Sequence, residues 1–154
     1  MKAALSLLAL LVFGCGTKYT KWESLTLSVA PPLTAGTIER RLIIEDKQSA
    51  GNFFAIERLP YTINTRLSTE ENCLRILAAK MKKSEISKIE RTTVGKYEGV
   101  SIPLPECNGL NTNCVVTVFA KNSELYRLDL VTKRTAQNPK PKLDALRNCW
   151  NSIR

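Results

Sequence analysis

NCVVTVFAKNSELYRLDLVT, residues 113–132, sets two runs rich in apolar and β-branched residues on either side of Asn122-Ser123. Two such runs joined by a two-residue polar turn read as an antiparallel β-hairpin. A second hairpin is written in ISKIERTTVGKYEGVSIPL, residues 86–104, with its turn near Gly95-Lys96. Upstream, SLTLSVA from Ser24 alternates apolar and polar residues and stops at Pro31-Pro32. TIERRLIIE from Thr37 and NFFAIERL from Asn52 follow as further strands, separated by the turn-forming DKQSAGN.

Between these strands the period changes. Ser68-Thr69-Glu70-Glu71 is a capping box, in which the serine hydroxyl and the Glu71 carboxylate each satisfy a backbone N–H at a helix start. Leu74, Leu77 and Met81, with Cys73 and Ile76 beside them, then share one face of a helix predicted to reach about Lys83. Leu143, Leu146, Trp150 and Ile153 repeat that spacing after QNPKPK, where Pro141 suits a helix entrance. The expected fold class is therefore α+β: an antiparallel sheet of about seven short strands flanked by two amphipathic helices. With 154 residues, 44% hydrophobic and 24% charged, one domain accounts for the chain. No repeat or low-complexity tract divides it.

The other end of the chain carries an address. Met1 and Lys2 precede eleven apolar or small residues, Ala3 to Phe13, followed by Gly14 and Cys15. A spanning helix needs about 20 apolar residues, so this run fits the three-part plan of a signal peptide instead. Val12-Phe13-Gly14-Cys15 resembles the lipobox of bacterial lipoproteins. That resemblance implies removal of residues 1–14 and a diacylglyceryl group on Cys15. Two chains hold firmly where a single one binds reversibly. Residues 15–23 would then be the lipidated cysteine and its tether, with Tyr19 and Trp22 as interfacial anchors or Trp22 as the start of the first core strand, and residues 24–154 the domain. In an organism with two membranes the same resemblance implies the outer one, facing the periplasm, because residue 16 is Gly and not Asp. Ordinary secretion, with cleavage after Gly16, is the rival reading.

Four cysteines follow the leader, and an even number in an oxidising compartment predicts two disulfides with three connectivities to choose from. Cys107 and Cys114 flank the turn-rich NGLNTN, so bridging them would staple a hairpin connection. Cys73 and Cys149 then pair by elimination. Neither cysteine pair has the close spacing of a zinc or redox site.

The chain has no histidine and a formal charge of +9, from 23 basic and 14 acidic residues. Losing the leader removes only Lys2 among the charged residues, so the excess belongs to the domain. Its densest part runs from Arg75 to Lys96 against Glu85 and Glu90, and within it Lys80, Lys82, Lys83, Lys88, Arg91 and Lys96 are a candidate patch for an anionic partner or simply a solvated face. It lacks the aromatic interleaving of a single-strand nucleic-acid groove.

Chemistry that depends on imidazole is excluded, from serine or cysteine hydrolysis to histidine-ligated zinc. Asp129 with Asp144, or Glu98 with Glu124, read as surface charges, and Gly95-Lys96 lacks the spacing of a phosphate loop. No metal, cofactor or catalytic residue is expected.

TTVGKYEGVSIPL, then VVTVFAKNSELYRLDLVT, then a closing helix ending Trp150-Asn151-Ser152-Ile153, is similar to the C-terminal half of PsbP-like domains. The resemblance implies an antiparallel sheet with flanking helices and a role in binding or assembly. The expected function is a membrane-tethered envelope lipoprotein acting as a non-catalytic binding or assembly module with an envelope protein as partner. An inhibitor of an envelope-attacking hydrolase and a cell-wall glycan hydrolase are the alternatives.

Overall fold

The hairpin read first sits near the middle of the molecule. In the computed structural model, which describes residues 16–79, 81, 83–104, 112–133 and 143–154, β8 (Thr112–Lys121) pairs with β9 (Glu124–Lys133) in unbroken register. Asn122 takes φ 55°, the left-handed conformation asparagine tolerates and a two-residue hairpin turn requires. Around this pair the other elements follow in chain order: β1 (Lys18–Trp22), β2 (Leu25–Val29), β3 (Leu33–Ile38), β4 (Arg41–Asp46), β5 (Phe53–Thr62), α1 (Thr69–Ala78), α2 (Lys83–Ile86), β6 (Glu90–Val94), β7 (Tyr97–Leu104) and α3 (Asp144–Asn151).

Seven strands form one antiparallel sheet in the order β3-β4-β5-β9-β8-β7-β6, and β1 with β2 forms a separate two-stranded sheet. The α+β expectation is met. Among the described residues there are nine strands, because two stretches hold more structure than their sequence advertises. The run from Thr37 is a hairpin: β3 and β4 turn at Glu39-Arg40, with Glu39 at φ 54°. Residues 18–22, expected within a tether, pair with β2 as β1, turning through Glu23 at φ 50°.

Strand alternation gives the large sheet two faces, each with its own cover. On one, Phe54, Ile56, Phe119, Tyr126 and Leu128 are buried beneath the β1–β2 hairpin and α3 through Leu25, Leu27, Leu146, Cys149 and Ile153. On the other, Val100, Ile102, Val116 and Val118 are buried with Cys73 and Leu77 of α1. Each large aliphatic side chain taken out of water contributes about 1.5–3 kcal/mol, so both covers are held mainly by these contacts. α1 begins as its capping box predicts: Ser68 Oγ accepts from Glu71 N at 3.2 Å and Glu71 Oε2 accepts from Ser68 N at 2.7 Å. Buried Asn72 fixes the approach to the helix. Its Nδ2 donates to Asn64 O at 3.0 Å and Ser68 O at 2.9 Å, while its Oδ1 accepts from Asn64 N at 2.8 Å. α1 ends earlier than predicted, in a turn where Met81 N donates to Ala78 O.

The two-face arrangement corrects the disulfide expectation. Cys73 and Cys149 lie under helices on opposite faces of the sheet, and both are buried free thiols. A bridge requires Cα atoms within about 7 Å, which a sheet with side chains on both sides does not permit. Elimination paired two cysteines that share only the property of lying beside a helix stripe. Cys114 is buried on β8 among the α1-side residues, and its expected partner, Cys107, lies outside the described residues.

The last described residues close the molecule. Thr26 and Arg154 exchange two backbone hydrogen bonds at 2.9 Å, and Trp150 Nε1 donates to Thr93 O at 2.9 Å. The β6–β7 turn packs against this segment so tightly that a Cβ on Gly95, itself at φ 59°, would lie 1.9 Å from Ile153 O.

Two outcomes follow from this packing. Gly95→Ala is expected to lower stability by about 3 kcal/mol, from left-handed strain plus backbone displacement. Gly36→Ala, whose added carbon meets nothing within 4 Å, serves as the control; equal urea midpoints for the two variants would refute the packing. Burial pushes the Cys73 thiol up to about 11 and the Cys149 thiol up to about 12. Iodoacetamide should therefore leave both unmodified in the folded protein and alkylate both in urea without reductant, as read by peptide mass. Modification that requires prior reduction would contradict the free-thiol assignment.

Candidate functional site

α1 covers only part of its sheet face. Between the helix and strands β5, β7, β8 and β9 lies a groove of about 500 Å³. Its floor is Val116 and Val118, its helix wall Ile76 and Leu77, and Leu59, Ala79, Met81 and Leu104 complete the apolar lining. Three polar side chains edge it: Tyr61, Arg75 and Arg127. A largely aliphatic concavity of this size, with few polar groups at its border, has the character of a small-molecule site.

The sequence places Arg127 here by strand geometry. Leu125, Arg127, Asp129 and Val131 alternate onto the α1 side of β9, so a charged pair interrupts an otherwise apolar row on a central strand. Arg127 Nε donates to Asp129 Oδ1 at 2.7 Å, which fixes the guanidinium against the floor. Burial works against the Arg127 charge, but the hydrogen bond to Asp129 and the fields of Asp129 and Glu57 more than offset it, leaving its pKa above the ordinary arginine value. Glu57, opposite Arg127 in register, is matched in turn by Arg41 at 3.1 Å. Arg75 is exposed on α1 and has no carboxylate partner among the described residues. A shallow depression of about 850 Å³ continues the same face over β4 and β5, where the Arg41–Glu57 pair crosses it.

On the opposite face a polar clamp fastens the β1–β2 hairpin. Ser24 Oγ donates to Glu124 Oε2 at 2.8 Å, Tyr126 OH donates to the same oxygen at 2.6 Å, and Arg58 pairs with Glu124 at 2.8 Å. Hydrogen bonds from Tyr126 and then Ser24 hold Glu124 below the usual carboxylate range. Burial, followed by the hydrogen bond to Glu124, pushes the Tyr126 phenol up to about 12. Trp22 meets Tyr126 edge-on at 6.3 Å and Phe119 stacks on Tyr126 at 5.4 Å, so the clamp is continuous with the core. Its residues serve the fold.

The basic stretch is not brought together by its described members. Arg91 is exposed on β6 and its Nε pairs with Glu70 of α1 at 2.9 Å. Lys96 lies in the β6–β7 turn, with Nζ 5.5 Å from the centre of the Tyr97 ring, and Tyr97 stacks on Phe119 of the other face. Lys88 is exposed in the loop after α2. Cys15, Lys80, Lys82 and the side chain of Lys83 lie outside what is described. Asp129, read from the sequence as a surface charge, is committed to Arg127, and Glu124, read likewise, to the clamp. Among the described residues no group of three His, Cys, Asp or Glu side chains could hold a metal ion, and no helix is long and apolar enough to cross a membrane.

No protein-family model matches the chain and no curated protein is similar to it. Among solved structures it is similar to a protein of Bacteroides thetaiotaomicron VPI-5482, determined at 1.50 Å resolution. The TM-score is 0.59 at 7% sequence identity, over 84% of this chain and 44% of that one. The chain thus spans less than half the length of that protein, and the likeness is one of fold alone.

The clamp predicts a pH dependence with a definite sign. A phenol raised from an ordinary value near 10 to about 12 favours folding in its protonated form. Its contribution is full below pH 10 and is lost as pH rises towards 12. Absorbance at 295 nm should show Tyr126 ionising only well above pH 10, together with unfolding, and Tyr126→Phe should remove that step. Ionisation of Tyr126 near pH 10 with the fold intact would refute the buried clamp.

Proposed function

We propose that this protein is a non-catalytic binding module of the cell envelope, exported by its leader and held to a membrane by lipid on Cys15. The observation that carries the binding role is the open groove between α1 and the sheet. It offers an aliphatic concavity based on rigid central strands, with fixed charge at its edge and no nucleophile or acid–base pair among the described groove residues. Rigid strands under a concave surface are a good base for recognition, because little order must be gained on binding.

Two features support the membrane tether. β1 starts at Lys18, so only Gly16 and Thr17 separate Cys15 from the first strand, a reach of about 10 Å at 3.5 Å per residue. Tyr19 on β1 is 73% exposed, in keeping with an aromatic at a lipid surface. Buried thiols with pKa values raised to about 11 and 12 are also compatible with an oxidising compartment, since the reactive thiolate is suppressed. The outer membrane and an envelope protein partner belong to the same proposal.

Cys15→Ser tests the tether in the producing cells. Loss of fatty-acid label and release of the protein from the membrane fraction are expected; label retained on the variant would overturn lipidation at this residue.

A further inference from the structure

The chemistry of the groove narrows what it takes. We infer that it binds one long-chain carboxylate amphiphile, a fatty acid, with the alkyl chain along Val116, Val118, Ile76 and Met81 and the carboxylate at Arg127 and Arg75. This deepens the binding-module reading and rests on it.

The argument begins with the guanidinium. Asp129 occupies Nε of Arg127 and leaves both Nη groups without a partner among the described residues, at the wall of an aliphatic groove. A planar guanidinium held in one orientation presents parallel N–H donors that match a carboxylate in two-point geometry. Charge bookkeeping points the same way. Arg41 with Glu57 and Arg127 with Asp129 cancel in pairs, so Arg75 is the unmatched charge among these groove-side groups, and one positive charge suits one anionic head.

Size and lining select the tail. A volume of about 500 Å³ falls within the range of small-ligand pockets, whereas a stable protein contact buries about 800 Å² on each partner. Aliphatic side chains and one methionine line the interior, and Tyr61 is the single aromatic among the described lining residues. Methionine and branched aliphatics conform to a flexible alkyl chain. The floor strands are already paired on both sides, which leaves no free strand edge there for an extended peptide.

The test uses the full chain in phosphatidylcholine vesicles with a diazirine-bearing palmitate, illuminated and then mapped by peptide mass. Adducts are expected on residues 75–81 and 113–119. Unlabelled palmitate should displace them, and hexadecanol, which has the same chain without the charge, should compete about tenfold less well. Arg127→Gln should cut adduct yield about tenfold and Arg127→Lys should restore part of it. Arg75→Gln, at an exposed helix position that folding does not require, should lower the yield severalfold. Adducts scattered over the surface, equal competition by hexadecanol, or yields unchanged in both glutamine variants would overturn the assignment. Lipid on Cys15 is read separately as mass on its own peptide, so failure of the groove assignment leaves the tether reading standing, and the reverse holds.

Discussion

The strict alternation of β8 and β9 about Asn122-Ser123 is the constraint from which the rest of the molecule follows. Because side chains on a strand face opposite ways in turn, one register places Phe119, Tyr126 and Leu128 on one side and Val116, Val118, Leu125 and Val131 on the other. A slip of one residue would exchange the two sets and strand aromatics where α1 packs. β5 and β7 extend both rows, and the covers are then chosen by fit. The aromatic side receives the β1–β2 hairpin and α3, while the side of small aliphatics receives a single short helix. The helix is too short to cover its face, and the groove is the remainder.

Legibility in the sequence tracked the chemistry of turns and caps. The hairpins at Gly95 and Asn122 were readable because each puts a residue that tolerates left-handed φ between alternating runs. The hairpins at Glu23 and Glu39 were not, since glutamate there adopts the same conformation without advertising it. Local composition gave no reason to break TIERRLIIE in two, and only the pairing of β4 with β5 on its other side fixes the bend. Ser68 and Glu71 announced the start of α1 through side chains that act within one turn. Which face of the sheet each helix would cover was not local information, and for that reason the pairing of Cys73 with Cys149 failed.

The groove was not read from the sequence, where Asp129 passed for a surface charge and Arg127 for an ordinary strand residue. Arg127 and Asp129 stand out as charges within a buried alternating row, a pattern that marks either strain or use. What could not be read was that α1 stops at Ala78 and leaves a groove beside them, with the buried Val116 and Val118 at its base. The basic stretch drew attention through its density, yet two of its described members serve local ends: Arg91 fastens an edge strand to α1, and Lys96 caps an aromatic. Charge density along a chain is a weaker guide to a site than a fixed charge beside exposed apolar surface.

Taken together, the molecule has a rigid sheet whose centre belongs to two cores, one firmly closed by β1–β2 and α3, the other half-closed by α1. Amide hydrogen exchange on the full chain tests this most directly. The slowest amides should be those of β8 and β9 between residues 115 and 130, with α1 opening well before them. Protection of α1 equal to that of β8 and β9 would mean that the helix is not a separable cover, and would contradict the account.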